Sequence, residues 1–450
     1  MSKYLIIGLI SILVFGCNSP KTESSHTTTA DNVISDDSLL NLVQYQTFQY
    51  FWEGAEPVSG LAPERIHMDG DYPDNDKNVV TSGGSGFGVM AILVGIDRGF
   101  ITREEGVERF EKILNFLETA DRFHGAYPHW WYGDTGKVKP FGANDNGGDL
   151  VETAFLMQGL ITVREYFKDG DEREQAIASR IDAIWKGVEW DWYTKGGEEV
   201  LYWHWSPDKE WVMNFAVTGY NECMIMYVLA AASPTHTIDP DVYHKGWAKS
   251  GEIVNDSLHS QYGYHLDLKH NGSQQYGGPM FWAHYSYLGL DPSNLKDQYA
   301  DYWQHNVNHT LINRQWCVEN PNGYEGYGEN CWGLTASYSK RFYAAHRPKD
   351  EDFGVITPTA ALSSFPYTPE YSMDFLRFMY QPGNDSLIGK YGPYDAFSYE
   401  HDWYKPWYLA IDQGPIPVMI ENYRSGLLWD LFMGAPEVQK GLDKLGFTYE

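Results

Sequence analysis

Apolar residues return at a spacing of three and four along most of this chain, and long Gly- and aromatic-rich loops separate those stretches. The pattern predicts helices over 38–52, 87–98, 102–119, 172–190, 218–232, 244–260, 279–290, 295–320, 332–345, 369–378 and 416–433. Another opens near Gly148 and runs through the apolar 153–161. Ser38 and the Thr102/Glu105 pair carry start signals for the first and third of these helices. The segment 357–366 reads as an apolar loop. No stretch offers several period-two strands in succession. Roughly a dozen helices joined this way predict an all-α toroid of paired helices with its long loops gathered on one face. No linker interrupts 38–446, so one domain is expected over 38–450.

The first residues follow a different logic. Lys3 precedes an apolar run, 4–15, that is too short to span a bilayer, as in an export signal. It ends in Val14-Phe15-Gly16-Cys17, which resembles a bacterial lipobox and predicts a signal over 1–16 with Cys17 as the lipidated first residue. An ordinary cleaved signal is the plainer alternative. The polar, Ser/Thr-rich 17–37 reads as a tether. Localisation in the periplasm or on the outer membrane follows, with the lipid as the sole membrane contact.

Charge narrows the partners. Lys and Arg total 33 against 61 Asp and Glu, a formal net charge of -28, which argues against nucleic acid and anionic lipid surfaces. The 17 Trp, 33 Tyr and 21 Phe suit either a large packed core or faces for sugar C–H surfaces. Beyond Cys17 there are three cysteines. Cys317 and Cys331 are open to pairing, whereas Cys223 lies in an apolar run and reads as a core residue.

The densest candidate chemistry is FGANDNGGDLVE, 141–152. Asp145, Asp149 and Glu152 stand at i, i+4 and i+7, and like charges held together make one another hard to ionise. Asp-x-x-Glu before an apolar run is also a helix cap. Capping accounts for Asp149 and Glu152 but not for Asp145 or the aromatic run Tyr127, His129, Trp130, Trp131 and Tyr132, so a functional site built partly from a cap is expected. Glu222 repeats the motif, a carboxylate entering an apolar helix after an aromatic loop. Asp412 precedes Gly414-Pro415 and lies just beyond Trp403, Tyr404, Trp407 and Tyr408. Glu325 and Glu329 are further acids, with helix entry the plainer role. His67, His129, His204, His265 and His284 show no HExxH or HxH spacing, so no metal site is expected. GGSGFG (83–88) follows no predicted strand, and no cofactor fingerprint stands in context.

Six segments carry a resemblance that covers the chain in order from 38 onward: SGGSGFGVMAILVGIDRGFITREEGVER, GGDLVETAFLMQGL, VTGYNECMI, YGENCWGLTAS, ITPTAALSSFPYTPEYS and LAIDQGPIPVMIENYRSGLLW. Together they resemble the glycoamylase-like family of exported bacterial proteins, and most of all its β-1,2-glucanase branch, glycoside hydrolase family 144. The resemblance implies a single (α/α)6 barrel and inverting hydrolysis of β-1,2-glucan or sophoro-oligosaccharides, by a monomer without cofactor. It places Asp145, Asp149 and Glu152 at the cleavage point, Glu222 as general acid and Asp412 as candidate base. Trp130, Trp131, Tyr132, Trp203, Trp205, Tyr220, Trp332, Tyr394, Trp403 and Trp407, with Glu329, are the expected substrate contacts. Two other readings compete. A glycan-binding lipoprotein would need the aromatics but not the clustered acids. A polysaccharide lyase would need basic residues to neutralise a uronate.

Overall fold

Three helices are buried on nearly every side, and they set the architecture. In the computed structural model, which describes residues 34–73, 76–256, 260–272 and 275–449, α1 spans Asp36–Trp52, α2 Ser82–Asp97, α3 Arg103–Leu117, α4 Leu150–Phe167, α5 Glu172–Lys186 and α6 Met224–Ala232. Helices α2, α4 and α6 have almost no polar face and form part of an inner ring. Helices α3 and α5 each keep a charged outer face and cover them, as amphipathic helices do at a surface. The chain goes on through α7 Tyr302–Glu319, α8 Pro358–Leu362, α9 Pro369–Met379, α10 Ala410–Gln413, α11 Pro415–Arg424, α12 Leu427–Met433 and α13 Pro436–Leu445. Residues 36–450 form one compact unit, an (α/α)6 toroid of paired helices.

The tightest crossing is α2 against α4. A Cβ on Gly159 would lie 2.1 Å from the Gly86 carbonyl oxygen, and one on Gly86 would lie 2.2 Å from the Phe155 carbonyl oxygen. The two backbones therefore touch where side chains would hold them apart. Short antiparallel pairings cap the inner ring on one face: Val79–Thr81 with Trp130–Tyr132, Gly148–Asp149 with His204–Trp205, and Arg65–His67 with Trp407–Leu409. Three of these strands lead directly into α2, α4 and α10, so the inner-helix N-termini emerge side by side under the loops.

The predicted helices differ from the observed elements mainly in the second half. Helix α6 begins at Met224 rather than 218 because Gly219 adopts φ +76°, which no right-handed helix accommodates. The predicted helix over 244–260 is a π turn, Val242–Trp247, and a 3-10 turn, Lys249–Gly251, broken where Lys249 and Ser250 turn left-handed. The region 279–290 forms two 3-10 turns, Met280–Ala283 and Tyr285–Leu288. The predicted 332–345 helix is a hairpin of Ala336–Tyr338 with Tyr343–Ala345, after Gly333 at φ +126°. The segment 357–366 contains α8, opened by Pro358 at its first position. The 416–433 stretch splits at Gly426, φ +76°, into α11 and α12. Cys223, Cys317 and Cys331 are buried free thiols. Among the described residues no helix is long and apolar enough to cross a membrane. The expected signal, Cys17 and most of the tether lie outside the described residues.

Candidate active site

Asp149 is the N-cap of α4, and its Oδ1 accepts from the Glu152 amide at 2.9 Å. The reciprocal half of a capping box is missing. Glu152 instead turns its Oε2 to the Gly83 amide at the start of α2, 2.9 Å away. A Cβ on Gly83 would come within 2.3 Å of that oxygen, so a glycine is required for the contact. The second Asp149 oxygen accepts from the Trp203 indole at 2.9 Å and meets His129 Nδ1 at 3.0 Å. His129 Nε2 stands 3.9 Å from Glu152 Oε1. Asp145 reaches the same cluster from the incoming loop, with its Oδ1 3.3 Å from His204 Nε2. The cap is thus realised on one side of Asp149, and on its other side stand His129 and Trp203.

Burial sets the proton affinities. It raises Glu152 to about 7, with Asp149 and Asp145 adding to the shift against the opposing pull of His129. Burial likewise raises Asp145 to about 7, reinforced by Asp149. For His129, burial opposes the charged ring, but Glu152, Asp149 and Asp145 prevail and raise it to about 9. One ligand-capable atom each from His129, Asp145 and Asp149 lie within 4.8 Å of one another, a grouping that sequence spacing did not reveal.

Glu222 approaches from another inner element. It precedes α6, and Ser286 Oγ donates to its carbonyl oxygen at 2.5 Å. Burial first, then Glu152 and Asp149, raise its carboxyl to about 7. Glu222 and Glu152 line one cleft of about 380 Å³ together with His129. Trp130, Trp203, Phe281 and Tyr338 supply aromatic walls, and the Glu64–Arg65 ion pair lies in the same lining. Lys139 Nζ sits 4.9 Å from the Trp130 ring centre. Phe141, half exposed, stacks on His129 with ring centres 4.2 Å apart.

Asp412 is buried in α10 and does not line this cleft. Its two oxygens accept no hydrogen bond from a donor group, and the group it faces is the buried carboxyl of Asp395. Asp395 in turn accepts from the Tyr338 amide at 2.8 Å. Burial raises both acids, Asp395 to about 6 and Asp412 well above its ordinary value, with the Asp395 carboxyl adding to the rise of Asp412.

The other expected residues separate by depth. Trp130 and Trp203 line the cleft, whereas Trp131, Tyr220 and Trp332 are fully buried in the core. Tyr132 is half-buried on a strand. Trp205 packs edge-on against His124 and Trp192. Trp407 stacks on His67 at 4.4 Å beside Trp403, and Tyr394 packs on Tyr408. Glu329 is exposed on a loop where its carbonyl oxygen accepts from Arg314. Sequence reasoning passed over His129 as a site residue, although it stood in the aromatic run, and gave no weight to Asp395, Glu64 or Arg65. Pro63-Glu64-Arg65 was visible only as loop, and Asp395 had no motif to mark it.

Comparison with known proteins decides the family. A family model described as "Putative glucoamylase" matches residues 214–436. The structure of an endo-β-1,2-glucanase from Chitinophaga pinensis, in complex with sophorotriose and glucose, is 66% identical and covers 92% of this chain and 99% of that one, with a TM-score of 0.91. A Bacteroides caccae structure bearing the same glucoamylase name is 64% identical over 92% of this chain and all of its own, TM-score 0.90. The chain belongs to the glycoamylase-like family. Within the family it falls in the β-1,2-glucanase branch. An exo β-1,2-glucooligosaccharide sophorohydrolase from Parabacteroides distasonis is 48% identical over 427 residues, 92% of this chain. The chain spans 58% of the length of that curated relative.

Proposed function

We propose that this protein is a glycoside hydrolase that cleaves β-1,2-glucan or its sophoro-oligosaccharides with inversion. The observation that carries this reading is the pairing of Glu222 with Glu152 in one aromatic cleft, each carboxyl raised to about 7. A carboxyl near that value can give a proton to a glycosidic oxygen and take one from water at neutral pH. The two arise from different elements, Glu152 from α4 and Glu222 from the approach to α6, so they are free to flank a glycosidic bond. Glu222 is the general acid. Glu152 activates the water, with Asp149 and protonated His129 holding it in place. A chain of net charge -28 with an acidic cleft suits a neutral glucan, and the full-length likeness to an endo-β-1,2-glucanase supports the linkage. Product analysis against linear β-1,2-, β-1,3-, β-1,4- and α-1,4-glucans tests the reading. Release of sophoro-oligosaccharides from the β-1,2 polymer alone is expected, and an unsaturated product absorbing in the ultraviolet would replace hydrolysis with elimination.

A second assignment of the base has its own support. Asp412, the base that the family resemblance implies, is buried against Asp395 outside the cleft lining, so it acts on water only through a substrate hydroxyl that reaches it. Asp412→Asn then abolishes turnover while Glu152→Gln only reduces it; the reverse order assigns the base to Glu152. The lipobox-like Val14-Phe15-Gly16-Cys17 supports an exported monomer anchored by lipid at Cys17. Cys17→Ser should move the protein from the membrane to the soluble fraction.

A further inference from the structure

The Trp- and Tyr-dense connection over 192–211 is only partly used by the cleft. Trp203 enters it, and His204 turns inward to Asp145. The next side chain, Trp205, is absent from the cleft lining. It packs against Trp192 and His124. On that side lies a second depression of about 640 Å³, with no residue in common with the cleft, lined by Trp192, Trp211, Glu189, Asp191, Lys195 and His236 among others.

Its walls are built and held. The Trp192 ring lies flat on His124, centres 3.7 Å apart and 11° from parallel, and is 40% exposed. His124 Nδ1 is fixed by Glu189 at 3.0 Å, and His236 Nδ1 by Asp191 at 3.0 Å. Trp211 lies within 29° of the Trp192 plane, centres 6.5 Å apart. Lys195 is drawn aside by Asn214 Oδ1 at 2.6 Å, so the lining presents indole surface beside carboxylates with acceptor capacity to spare. Val212, Met213 and Phe215 continue the exposed apolar surface, Phe215 at 52% exposure, and its ring meets Trp203 edge-on at 5.5 Å. An apolar strip thus runs from the depression back to the cleft wall.

We propose that this depression is a second, non-catalytic saccharide site that holds a remote part of the same neutral glucan chain. Rigid indole faces match the C–H faces of pyranose rings, and the adjoining carboxylates accept from sugar hydroxyls. The acidity of the chain disfavours a polyanion at the same place. Tethering one part of a polymer raises the effective concentration of its neighbours at the cleft. The identity of the ligand rests on the β-1,2-glucan reading.

Affinity electrophoresis in native gels containing linear β-1,2-glucan tests the site, with the full chain carrying Glu222→Gln to stop hydrolysis. Retention should weaken several-fold on adding Trp192→Ala or Trp211→Ala, and Trp192→Phe should restore part of it. In the active protein, Trp192→Ala should raise KM for the polymer several-fold at constant kcat and leave a sophoro-oligosaccharide that fills only the cleft unaffected. Unchanged retention in both Ala variants, or no retention of the parent, overturns the proposal. An equal loss on polymer and oligosaccharide with a lowered melting temperature also overturns it and makes Trp192 a packing residue. Hydrolysis of the polymer by the unaltered protein separates a failure here from a failure of the proposed activity.

Discussion

Asp149 shows how one side chain serves two purposes at once. Oδ1 caps α4 while Oδ2 holds His129 and Trp203. Asp149→Asn keeps a good capping residue but removes the negative charge beside His129. It should lower turnover by about 10²–10⁴-fold, the range for lost acid–base catalysis, with the melting temperature within a few degrees of the parent. Glu152→Gln and Glu222→Gln should behave alike. Early-melting variants that keep full activity would leave these residues as caps. The same groups set a pH dependence of stability. Glu152 and Glu222 move from 4.5 to about 7 on folding, and His129 from 6.5 to about 9. All three bind protons more tightly when folded, so their contribution is complete below the unfolded values and is lost as pH rises through 7 for the glutamates and 9 for His129. Melting temperature should therefore fall from about pH 4.5 to 9, through the glutamates up to pH 7 and through His129 above it. Glu152→Gln should flatten that fall, both by removing its own titration and by lowering His129; an unchanged slope would contradict the shifts.

Helices carry the geometry that brings these groups together, and the α2–α4 crossing is the critical element. With 2.1 Å between a Gly159 Cβ and the Gly86 carbonyl oxygen, Gly159→Ala must push two inner helices apart. The expected cost is about 1–3 kcal/mol, read as a lowered denaturant midpoint. Activity should fall with it, because the same displacement draws Glu152 on α4 away from the Gly83 amide on α2. An alanine that leaves both stability and turnover intact would show that the crossing relaxes freely. This element also marks where the sequence is legible. The apolar stretches located α2 through α5, although α2 opens at Ser82 rather than 87 and α4 runs on to Phe167 beyond the apolar 153–161, and the Asp-x-x-Glu pattern located the α4 cap. The second half failed where backbone conformation overrides periodicity: left-handed Lys249 and Ser250 break one predicted helix, and Gly333 precedes a hairpin in place of another. Asp145, Asp149, Glu152 and Glu222 were legible as candidates because each is a carboxylate at the entrance to an apolar helix, and Glu152 and Glu222 line the cleft. The Asp395–Asp412 pairing was not, since it joins a loop residue to one in α10 with no pattern between them.

At the scale of the molecule, the toroid matters because it makes distant helix starts neighbours. Glu152 enters from α4 and Glu222 from the approach to α6, and the two face one cleft. Asp149 and Glu152 share a single turn, so neither can stand across a sugar ring from the other. An inverting pair needs its carboxyls roughly 6.5–9.5 Å apart to admit a water, whereas a retaining pair stands about 5–5.5 Å apart. Glu222 and Glu152 come from separate elements, so their spacing is not tied to one helical turn and an inverting separation is open to them. Cleavage of a β-linked glucan should accordingly release the α-anomer at the new reducing end first. Proton NMR in the first minutes of hydrolysis, before mutarotation, reads the anomer directly. Initial β-anomer would mean that a carboxylate attacks the sugar itself, and it would overturn the assignment of Glu152 as a base that activates water.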